Sequence, residues 1–481
     1  MPVTVPIFRP DQLFGGLRPV KEGGSMQTLN LRLVDPQGHQ YVLRSVDKDL
    51  TRALPDKQKK GMKAHLLQDQ TAAVHPYGAL VAAELAQAAG VLHATPRLYR
   101  VPTAGTGLGE FETAFAGRLV FLEERPEGNW QGQPVFGGSK KVVSSAVLLA
   151  ERYGVPGTTV QPPRLDLNGP APARAYLRAR LLDILLADWS RREDQWRWAR
   201  QDAPAAENVA GKSTARYYAI PRDRDHAFSR YNDGVFPGLV VLFKPKVVSF
   251  GPKIGRVNRY HHTADLLDHV VLGWRAQADF MAEADSLVRR LSDAAIDRAL
   301  TRMPPNIQRL DGRRLRQGLQ RRRDQLPAAA RQLYAALNRE AVLPGSDGSD
   351  DYTLSAGPND NLTVTWTSHV DSTRRGGAST YDRTFSRRET KHLQLHGLGG
   401  GDRLILTGPL PKDGPRVEFF DGPGRDEARR TGGGDTPRWL KVRASGDENH
   451  FEALPDWARK GQKKVEARDF DANGFLLRHR L

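Results

Sequence analysis

The sequence predicts an α+β protein in which two lobes are followed by a small β-rich domain. Its 481 residues exceed the length of one ordinary domain, so several domains are expected. Short β-type runs separated by Gly and Pro turns fill residues 1–125 around one Ala-rich segment, whereas apolar residues recur at helical spacing through 126–345. Short β-type runs return in 346–430, and a basic, Gly-rich tail at 431–481 completes the predicted domain organisation.

The composition limits the class of protein. Hydrophobic residues make up 39% of the chain and charged residues 26%, which is typical of soluble globular proteins. No run approaches the roughly 20 apolar residues of a transmembrane helix, and the first residues lack the basic and apolar regions of a signal peptide. The absence of cysteine excludes disulfides, a thiol nucleophile and cysteine-ligated metal sites. Both the cytoplasm and the cell envelope are compatible with this composition.

The chain is strongly basic. Lys and Arg total 72 against 55 Asp and Glu, a formal net charge of +17. A surface of this charge attracts nucleic acid, phosphorylated ligands or anionic lipid. The arginines are spread over predicted helices rather than interleaved with aromatic residues, which favours an ordinary solvated surface. Nucleic-acid binding through the Arg-rich segment 310–341 lacks the support of any recognised module.

The elements of the first lobe follow from turn and cap signals. Leu29–Val34 and Gln40–Val46 flank a Pro-Gln-Gly turn and are predicted as a hairpin. His75–Gly90 is predicted as a helix, with Gly90 supplying the left-handed stop. Leu119–Leu122 is predicted as a buried strand.

A glycine-rich segment precedes the hairpin. Gly23 and Gly24 would let backbone amides approach phosphate oxygens, although a plain tight turn is the simpler alternative. Arg44 and Lys48 follow on the second hairpin strand, and Glu84 lies mid-helix among Ala and Leu, where a carboxylate needs a cationic partner. A phosphate-binding cation held by a helix Glu is one way in which kinases anchor a nucleotide.

The segment 181–198 joins an apolar helix to a polar turn. Ala173–Trp189 carries leucines at i, i+4 spacing, and Asp, Arg and Gln residues follow it. Three of the eight tryptophans occur within ten residues here. This pattern suits a rigid loop that presents polar groups to a cleft, and an ordinary ion-pair cluster at a helix end is the alternative.

The segment 218–228 ends a predicted strand with two aspartates, Asp223 and Asp225. Because strand residues two apart face the same side, both carboxylates are expected to point into one site. Such a pair can hold Mg²⁺, which bridges nucleotide phosphates. Surface salt bridges with Arg222 and Arg224 are the alternative.

Four segments, residues 23–28, 41–49, 188–198 and 220–225, carry a family resemblance. In this order they resemble the atypical protein kinases of the CotH and HipA kind. They are most similar to the kinase-like segment of large Bacteroidetes envelope proteins, which are often fused to a metallophosphoesterase and an outer-membrane barrel. The resemblance covers about residues 5–430. It implies a two-lobed, protein-kinase-like fold, ATP and Mg²⁺ as cofactors, and a place in the cell envelope.

The resemblance also implies roles for individual residues. Nucleotide contacts are implied for Gly23, Gly24, Gln27, Arg44, Lys48 and Glu84. Metal contacts are implied for Asp223, Asp225 and Gln195, with Asp225 as the principal ligand. Catalytic roles are implied for Asp188, Arg191 and Asp194.

Departures from the family pattern bear on activity. The loop of the resembling proteins reads Asp-Trp-Asp-Arg-His-Glu-Asp-Gln-Trp, whereas this chain has Ser190 and Arg192 in place of the second Asp and the His. Ser190 cannot act as the carboxylate base, so Asp188 or Asp194 would have to replace it. Arg44 stands where a kinase lysine is expected, and a guanidinium is not an equivalent point charge.

Two functional hypotheses follow. The first is a kinase-like protein that binds nucleotide phosphates and Mg²⁺ and transfers phosphate weakly to an acceptor that the sequence does not identify. The alternative is a non-catalytic, pseudokinase-type envelope module whose basic surface binds an anionic partner. Ser190 and Arg192 favour the alternative, whereas the retained carboxylates favour nucleotide binding.

The last third of the chain contains Gly-Asp segments. Gly345–Asp351 is predicted as a linker, and Gly397–Asp402 and Asp421–Asp426 partly match the calcium-binding turn of parallel β-rolls. Two imperfect copies are too few for a stacked roll, and the neighbouring Arg403 and Arg425 disfavour a divalent cation. The sequence therefore predicts ordinary Gly-Asp turns between strands at Asp402 and Asp426.

Overall fold

The structure, a computed structural model, describes residues 3–23, 28–47, 74–153, 165–166, 170–202, 215–231, 248–346, 348–369, 379–444 and 449–461. The predictions for Gly24, Gln27 and Lys48 lie outside these residues. The described helices and strands confirm the predicted α+β class.

The first lobe is a five-stranded antiparallel sheet with one long helix. Its elements are β1 (Arg18–Gly23), β2 (Asn30–Val34), β3 (Gln40–Ser45), α1 (Gly78–Ala89), β4 (Arg97–Arg100), α2 (Glu112–Phe115) and β5 (Leu119–Glu124). The strand order is β1-β2-β3-β5-β4. The hairpin β2–β3, the helix α1 and the buried strand β5 follow one another in the order that the sequence predicts.

The predicted hairpin and helix of this lobe are confirmed. Strands β2 and β3 pair antiparallel, and the buried carboxylate of Asp35 closes their turn by accepting hydrogen bonds from the backbone N–H groups of Gln37 and His39. Helix α1 ends at Gly90, whose φ of 71° is the left-handed conformation that glycine adopts without strain.

Strand β5 of this sheet is buried on both faces. On β5, Val120 and Leu122 face a core that includes Trp130, whereas Phe121 faces the second lobe. Arg44 pairs in register with Phe121 and lies on the same face. The strand period therefore turns the charged side chain of Arg44 toward the second lobe.

The second lobe surrounds a small sheet with helices. Its helices are α3 (Ser145–Tyr153), α4 (Pro170–Leu186), α5 (Asn258–His261), α6 (Asp265–Leu272), α7 (Gln277–Arg290), α8 (Asp293–Leu300), α9 (Pro305–Asp324) and α10 (Leu326–Arg339). Its strands are β6 (Lys141–Ser144), β7 (Leu165–Asp166), β8 (Trp196–Asp202) and β9 (Ala215–Pro221), in the order β6-β8-β9-β7.

Helix α4 is the centre of the second lobe. Leu177, Leu181 and Leu185 are fully buried, as their spacing predicts. Arg180 and Asp183 on the same helix are also fully buried. A helix that is buried on its polar side as well must be surrounded by other elements of the lobe.

An arginine from α9 fixes the end of α4. The buried guanidinium of Arg322 donates to the carbonyl oxygens of Ile184 at 2.5 Å and Leu185 at 2.7 Å. These are carbonyls that a helix end leaves without intrahelical partners, and a cation is stabilised at this end of the helix dipole. Ala187 then adopts φ of 57° and turns the chain into the loop 187–195.

The last part of the chain is a parallel β-roll. Its strands are β10 (Glu340–Ser346), β11 (Asp350–Ala356), β12 (Leu362–Ser368), β13 (Ser379–Phe385), β14 (His392–Leu398), β15 (Arg403–Thr407), β16 (Arg416–Phe420), β17 (Glu427–Thr431), β18 (Leu440–Ala444) and β19 (Arg459–Gly461). One sheet has the all-parallel order β10-β14-β16-β18-β19. The other has the order β13-β12-β11-β15-β17, in which β11, β15 and β17 are parallel.

The roll corrects three predictions. The predicted linker Gly345–Asp351 is its first turn, because β10 and β11 enter different sheets. The predicted boundaries cut through it, since β10 begins at Glu340 and β18 and β19 lie in the predicted tail. Stacked coils are also present, although the sequence copies are imperfect. The coils pack around buried leucines such as Leu395 and Leu404. This packing does not require each turn to match the calcium-binding sequence.

The roll packs on the second lobe. Strand β10 follows α10 directly, and the backbone carbonyl of Glu340 lies 3.0 Å from Nε2 of His269 on α6. Arg383 from β13 donates to Oδ1 of Asn338 on α10 at 2.6 Å. Within the described segments, every helix is too short or too polar to span a lipid bilayer.

Candidate functional site

A cleft lies between the sheet of the first lobe and the loops 187–195 and 222–228. It contains two adjoining cavities of about 440 Å³ and 450 Å³. The apolar wall of the first includes Val42, Ala79, Ala83, Phe121 and Ile220. The second is polar and includes Gly23, Arg44, Ser190, Asp194, Gln195 and Asp225. The two cavities share Arg44, Asp223 and Asp225.

The guanidinium of Arg44 lies where the two cavities meet. Its Nη1 donates to Oδ1 of Asp223 and its Nη2 to Oε1 of Glu123, both at 2.8 Å. Burial opposes the charge of Arg44, but Glu123, Asp223 and Asp225 outweigh that effect and raise its pKa. Burial raises the pKa of Glu123, and the charge of Arg44 opposes this rise. Arg44 is therefore a fixed cation in the cleft.

The predicted ion pair between Glu84 and Arg44 is wrong. Glu84 lies 3.9 Å from Arg302 with about a third of its side chain exposed, and the partner of Arg44 is Glu123. Glu123 lies two residues from Phe121, the register partner of Arg44, and so presents its carboxylate on the same face. Glu123 on the neighbouring strand thus takes the role predicted for Glu84 as the partner of Arg44. The alternative pairing of Glu84 with Lys48 lies outside the described residues.

Asp223 and Asp225 lie on a turn, because β9 ends at Pro221. The strand alternation predicted for them does not apply, and Asp223 has φ of 53°. Both nevertheless line both cavities. The alternative of surface salt bridges is wrong for Arg224, whose guanidinium is buried and lies 2.5 Å from Oδ1 of Asp183.

Asp188 does not reach the cleft. Its side chain is fully buried, contacts Arg191 and lies 3.8 Å from Arg224. Burial and the neighbouring Asp183 raise the pKa of Asp188 to about 7, against the effect of the two arginines. Because a base must reach the substrate hydroxyl, this burial gives no support to the prediction that Asp188 substitutes as the catalytic base.

Arg191, for which the sequence predicts a catalytic role, lines neither cavity of the cleft. It is fully buried, and its Nε lies 3.0 Å from Oδ2 of Asp183. Its Nη1 donates to the backbone carbonyl of Arg222. A second link joins the backbone N–H of Arg222 to the carbonyl of Gln195 at 2.9 Å. Arg191 thus ties the loop 187–195 to the turn that carries Asp223.

The residues of the loop that do line the cleft are Ser190, Arg192, Asp194 and Gln195. Asp194 accepts a hydrogen bond from Nε of Arg192 at 3.0 Å, and each side chain is about 60% exposed. Gln195 lies 3.5 Å from the Asp194 carboxylate. Ser190 contributes a hydroxyl to the polar cavity, and Asp194 is the carboxylate of the loop that lines it.

Sequence reasoning missed a buried charge network beneath the loop. Arg180 lies 2.9 Å from Oδ1 of Asp268 and 3.3 Å from Oδ2 of Asp183. Asp268 also accepts hydrogen bonds from Tyr176 and His261. Charged residues inside an otherwise apolar helix were the available signal, because a buried charge requires a partner. The network holds α4, and with it the start of the loop.

Arginines crowd the polar cavity. Burial and the neighbouring guanidinium of Arg222 lower the pKa of Arg197 to about 10. Burial and Arg44 likewise lower the pKa of Arg222. Arg32 and Arg125 line the same cavity. A bound polyanion relieves repulsion between such charges, so the cavity is suited to phosphate groups.

His261, Asp265 and His269 form a cluster with ligand atoms within 4.8 Å of one another. The ring nitrogens of His261 lie 3.0 Å from Asp265 and Asp268, and those of His269 face backbone carbonyls. These contacts give both rings structural roles within the second lobe. They provide no reason to assign a metal here.

No protein-family model and no curated protein sequence matches this chain. A proinflammatory kinase of Helicobacter pylori is similar in structure, with a TM-score of 0.34 and 10% identity over 69% of this chain and 99% of that one. The Golgi casein kinase with Mn and ADP bound has a TM-score of 0.29 and 10% identity over 69% and 74%. An amicoumacin kinase in complex with AMP-PNP and Ca²⁺ has a TM-score of 0.16 and 11% identity over 67% and 90%. At these scores, function has to be inferred from the side chains of this chain.

Proposed function

We propose that this chain is a kinase-like protein that binds a nucleotide with Mg²⁺ in the cleft and transfers phosphate weakly or not at all. The observation that carries the proposal is Arg44, a fixed cation between an apolar cavity and a polar one. The apolar cavity suits a nucleobase, and the arginine-rich cavity suits the phosphates.

The carboxylates at the shared wall would hold the metal. Asp225 is proposed as the principal Mg²⁺ ligand, with Gln195 as an additional oxygen donor. Asp223 is bound to Arg44 and is proposed to fix the turn while it assists the metal. The metal would bridge phosphate oxygens and neutralise their charge.

Slow turnover is proposed because of the residues that the loop 187–195 carries. Ser190 supplies no carboxylate, and Asp188 is buried against Arg191. Asp194 is the loop carboxylate that reaches the polar cavity, and it is paired with Arg192. The same observations favour the second candidate, a non-catalytic module in the cell envelope that binds an anionic partner. The resemblance to Bacteroidetes envelope proteins remains a prediction.

The first test is a thermal-shift titration with ATP, with and without Mg²⁺. A ligand that binds only the folded state adds about 2.7 kcal/mol of stability at a hundred times its Kd. We expect a shift with Mg-ATP that Arg44→Ala and Asp225→Asn each remove. Arg302→Ala serves as the control, because Arg302 is half-exposed beside Glu84 and lies outside the cleft. No shift with any nucleotide would leave the anionic-partner module as the remaining candidate.

The second test concerns turnover. Ser190→Asp restores a carboxylate to the loop, and a general base contributes roughly 10²-fold or more to a rate. We expect ADP release by the parent to be slow and to rise by about that factor in Ser190→Asp. A fast parent that Ser190→Asp slows would show that the loop has been misassigned.

A further inference from the structure

The described part of the roll stacks three turns of similar sequence on one edge. They span residues 345–350, 397–402 and 421–426, and each connects a strand of one sheet to a strand of the other. In each turn a glycine stands two residues before a final aspartate. Repetition at one edge of a parallel roll places equivalent residues directly above one another.

The final aspartates form a ladder. The backbone N–H of Asp350 donates to Oδ1 of Asp402 at 2.8 Å, and the backbone N–H of Asp402 donates to Oδ1 of Asp426 at 2.6 Å. The backbone N–H of Asp426 donates in turn to Oδ1 of Asn449 at 2.9 Å. One oxygen of Asp402 and of Asp426 is thus used to hold the coils in register.

The other carboxylate oxygen of Asp402 has no hydrogen-bond partner among the described residues, although the side chain is fully buried. No ion pair joins it to a described arginine, lysine or histidine. The charged groups that act most strongly on Asp402 are the carboxylates of Asp350, Asp426 and Asp421. An ionised carboxylate in this position requires a counter-charge.

Glycines allow the turns to pack closely beside this oxygen. A Cβ at position 397 would overlap Oδ2 of Asp402 and the backbone carbonyl oxygen of Asp421. A Cβ at Gly424 would likewise overlap the carbonyl of Gly400 in the turn below, and Gly424 has φ of 152°. The Asp402 carboxylate and the carbonyl oxygen of Asp421 therefore both approach the backbone of Gly397 as closely as only a glycine permits.

The neighbouring arginines, which led the sequence prediction away from a cation, face elsewhere. Nε of Arg403 donates to Oδ1 of Asp351 at 2.6 Å, on the opposite side of the strand from Asp402. Arg425 lies 2.7 Å from Nε2 of the His450 ring. Neither is positioned by these contacts to neutralise the ladder.

We propose that these stacked turns bind Ca²⁺, with the carboxylate of Asp402 as the central ligand. Calcium takes six to eight oxygen ligands in irregular geometry and accepts carboxylates together with backbone carbonyls. Asp426, Asp421 and the carbonyl oxygen of Asp421 are the further donors. Magnesium fits less well, because it demands octahedral geometry and retains several waters.

The test is calorimetric titration of the metal-stripped full chain with CaCl₂, combined with hydrogen exchange read out by peptide. We expect saturable binding and slower exchange in residues 397–426. Asp402→Asn should weaken calcium binding by at least about tenfold, since loss of even an outer-shell partner costs that much. Asp413→Asn is the control and should bind as the parent does, because Asp413 is 83% exposed and paired with Arg387.

Four results would overturn the proposal. One is the absence of binding heat and of protection in the parent up to about 5 mM calcium, above the weakest range of protein sites. Another is parent-like affinity in Asp402→Asn. The third is slower hydrogen exchange on adding calcium to the parent that is confined to the cleft loops 187–195 and 222–228. This result is informative even if Asp402→Asn does not fold. Magnesium that protects 397–426 equally well would also exclude a calcium-selective site.

Discussion

Buried carboxylates occur in two regions of this chain, the second lobe and the roll, but the charges that face them differ. In the second lobe, Asp183 and Asp268 both contact Arg180, so the protein supplies the counter-charge itself. In the roll, the charged groups that act most strongly on Asp402 are other aspartates. A carboxylate with an arginine partner stabilises the fold internally, whereas the calcium site proposed for the roll would take its counter-charge from solution.

The cleft shows the opposite imbalance. The polar cavity is lined by six arginines and three aspartates: Arg32, Arg44, Arg125, Arg192, Arg197, Arg222, Asp194, Asp223 and Asp225. An excess of guanidinium groups favours a phosphorylated ligand over a lone metal ion. The charge balance of each region thus indicates which kind of ligand, if any, it accepts.

The largest expected effect on the free energy of unfolding comes from removing a counter-charge in the second lobe. Arg180→Met leaves Asp183 and Asp268 without their shared guanidinium, and breaking a buried pair in this way costs about 3–5 kcal/mol. Urea unfolding of the parent and the variant measures the loss.

Arg192→Met is the matched control for Arg180→Met. The Arg192–Asp194 pair has the same chemistry but is about 60% exposed, so its loss should cost only about 0–1 kcal/mol. Equal effects of the two substitutions would mean that the buried network contributes no more than a surface pair, and the contrast between the regions would fail.

The next effect is a pH dependence in the second lobe. Burial opposes the charge of His261, but hydrogen bonds and charges from Asp265 and Asp268 raise its pKa to about 9. Because this value lies above the ordinary one, protonated His261 contributes stability that is complete below about pH 6.5 and is lost as the pH rises through 9.

His261→Asn isolates that contribution. Between about pH 6 and pH 10, the parent should lose stability of the order of 3 kcal/mol more than His261→Asn does in urea unfolding. Parallel pH profiles for the two proteins would show that His261 is not a source of counter-charge for Asp268.

The sequence predicts local elements better than long-range partners. The hairpin, the helix ending at Gly90 and the strands of the roll follow from turn residues and periodicity, which act within a few residues. The partner of Arg44 does not follow from local signals, because Glu84 and Glu123 are 40 and 79 positions away and only the strand register decides between them. The sequence does not predict the roll, because contacting coils are about 24 residues apart and the β12–β13 hairpin interrupts their repeat.

The smallest effect separates the two glutamates that compete for Arg44. Glu84→Gln should change the free energy of unfolding by less than about 0.5 kcal/mol and leave Mg-ATP affinity unchanged, because its contact with Arg302 is long and exposed. Glu123→Gln should lower Mg-ATP affinity, because it releases Arg44 from its 2.8 Å contact. The reverse order of affinities, measured by calorimetry, would restore the helix Glu as the anchor.

The two proposed ligand sites, one for a Mg-nucleotide and one for calcium, should be independent of each other. A single set of calorimetric titrations with Mg-AMP-PNP and with CaCl₂ on the parent, Asp225→Asn and Asp402→Asn tests this independence. We expect Asp225→Asn to lose the nucleotide and keep the calcium of the roll, and Asp402→Asn to lose calcium and keep the nucleotide. Loss of both ligands in Asp225→Asn, with parent-like binding of both in Asp402→Asn, would contradict it.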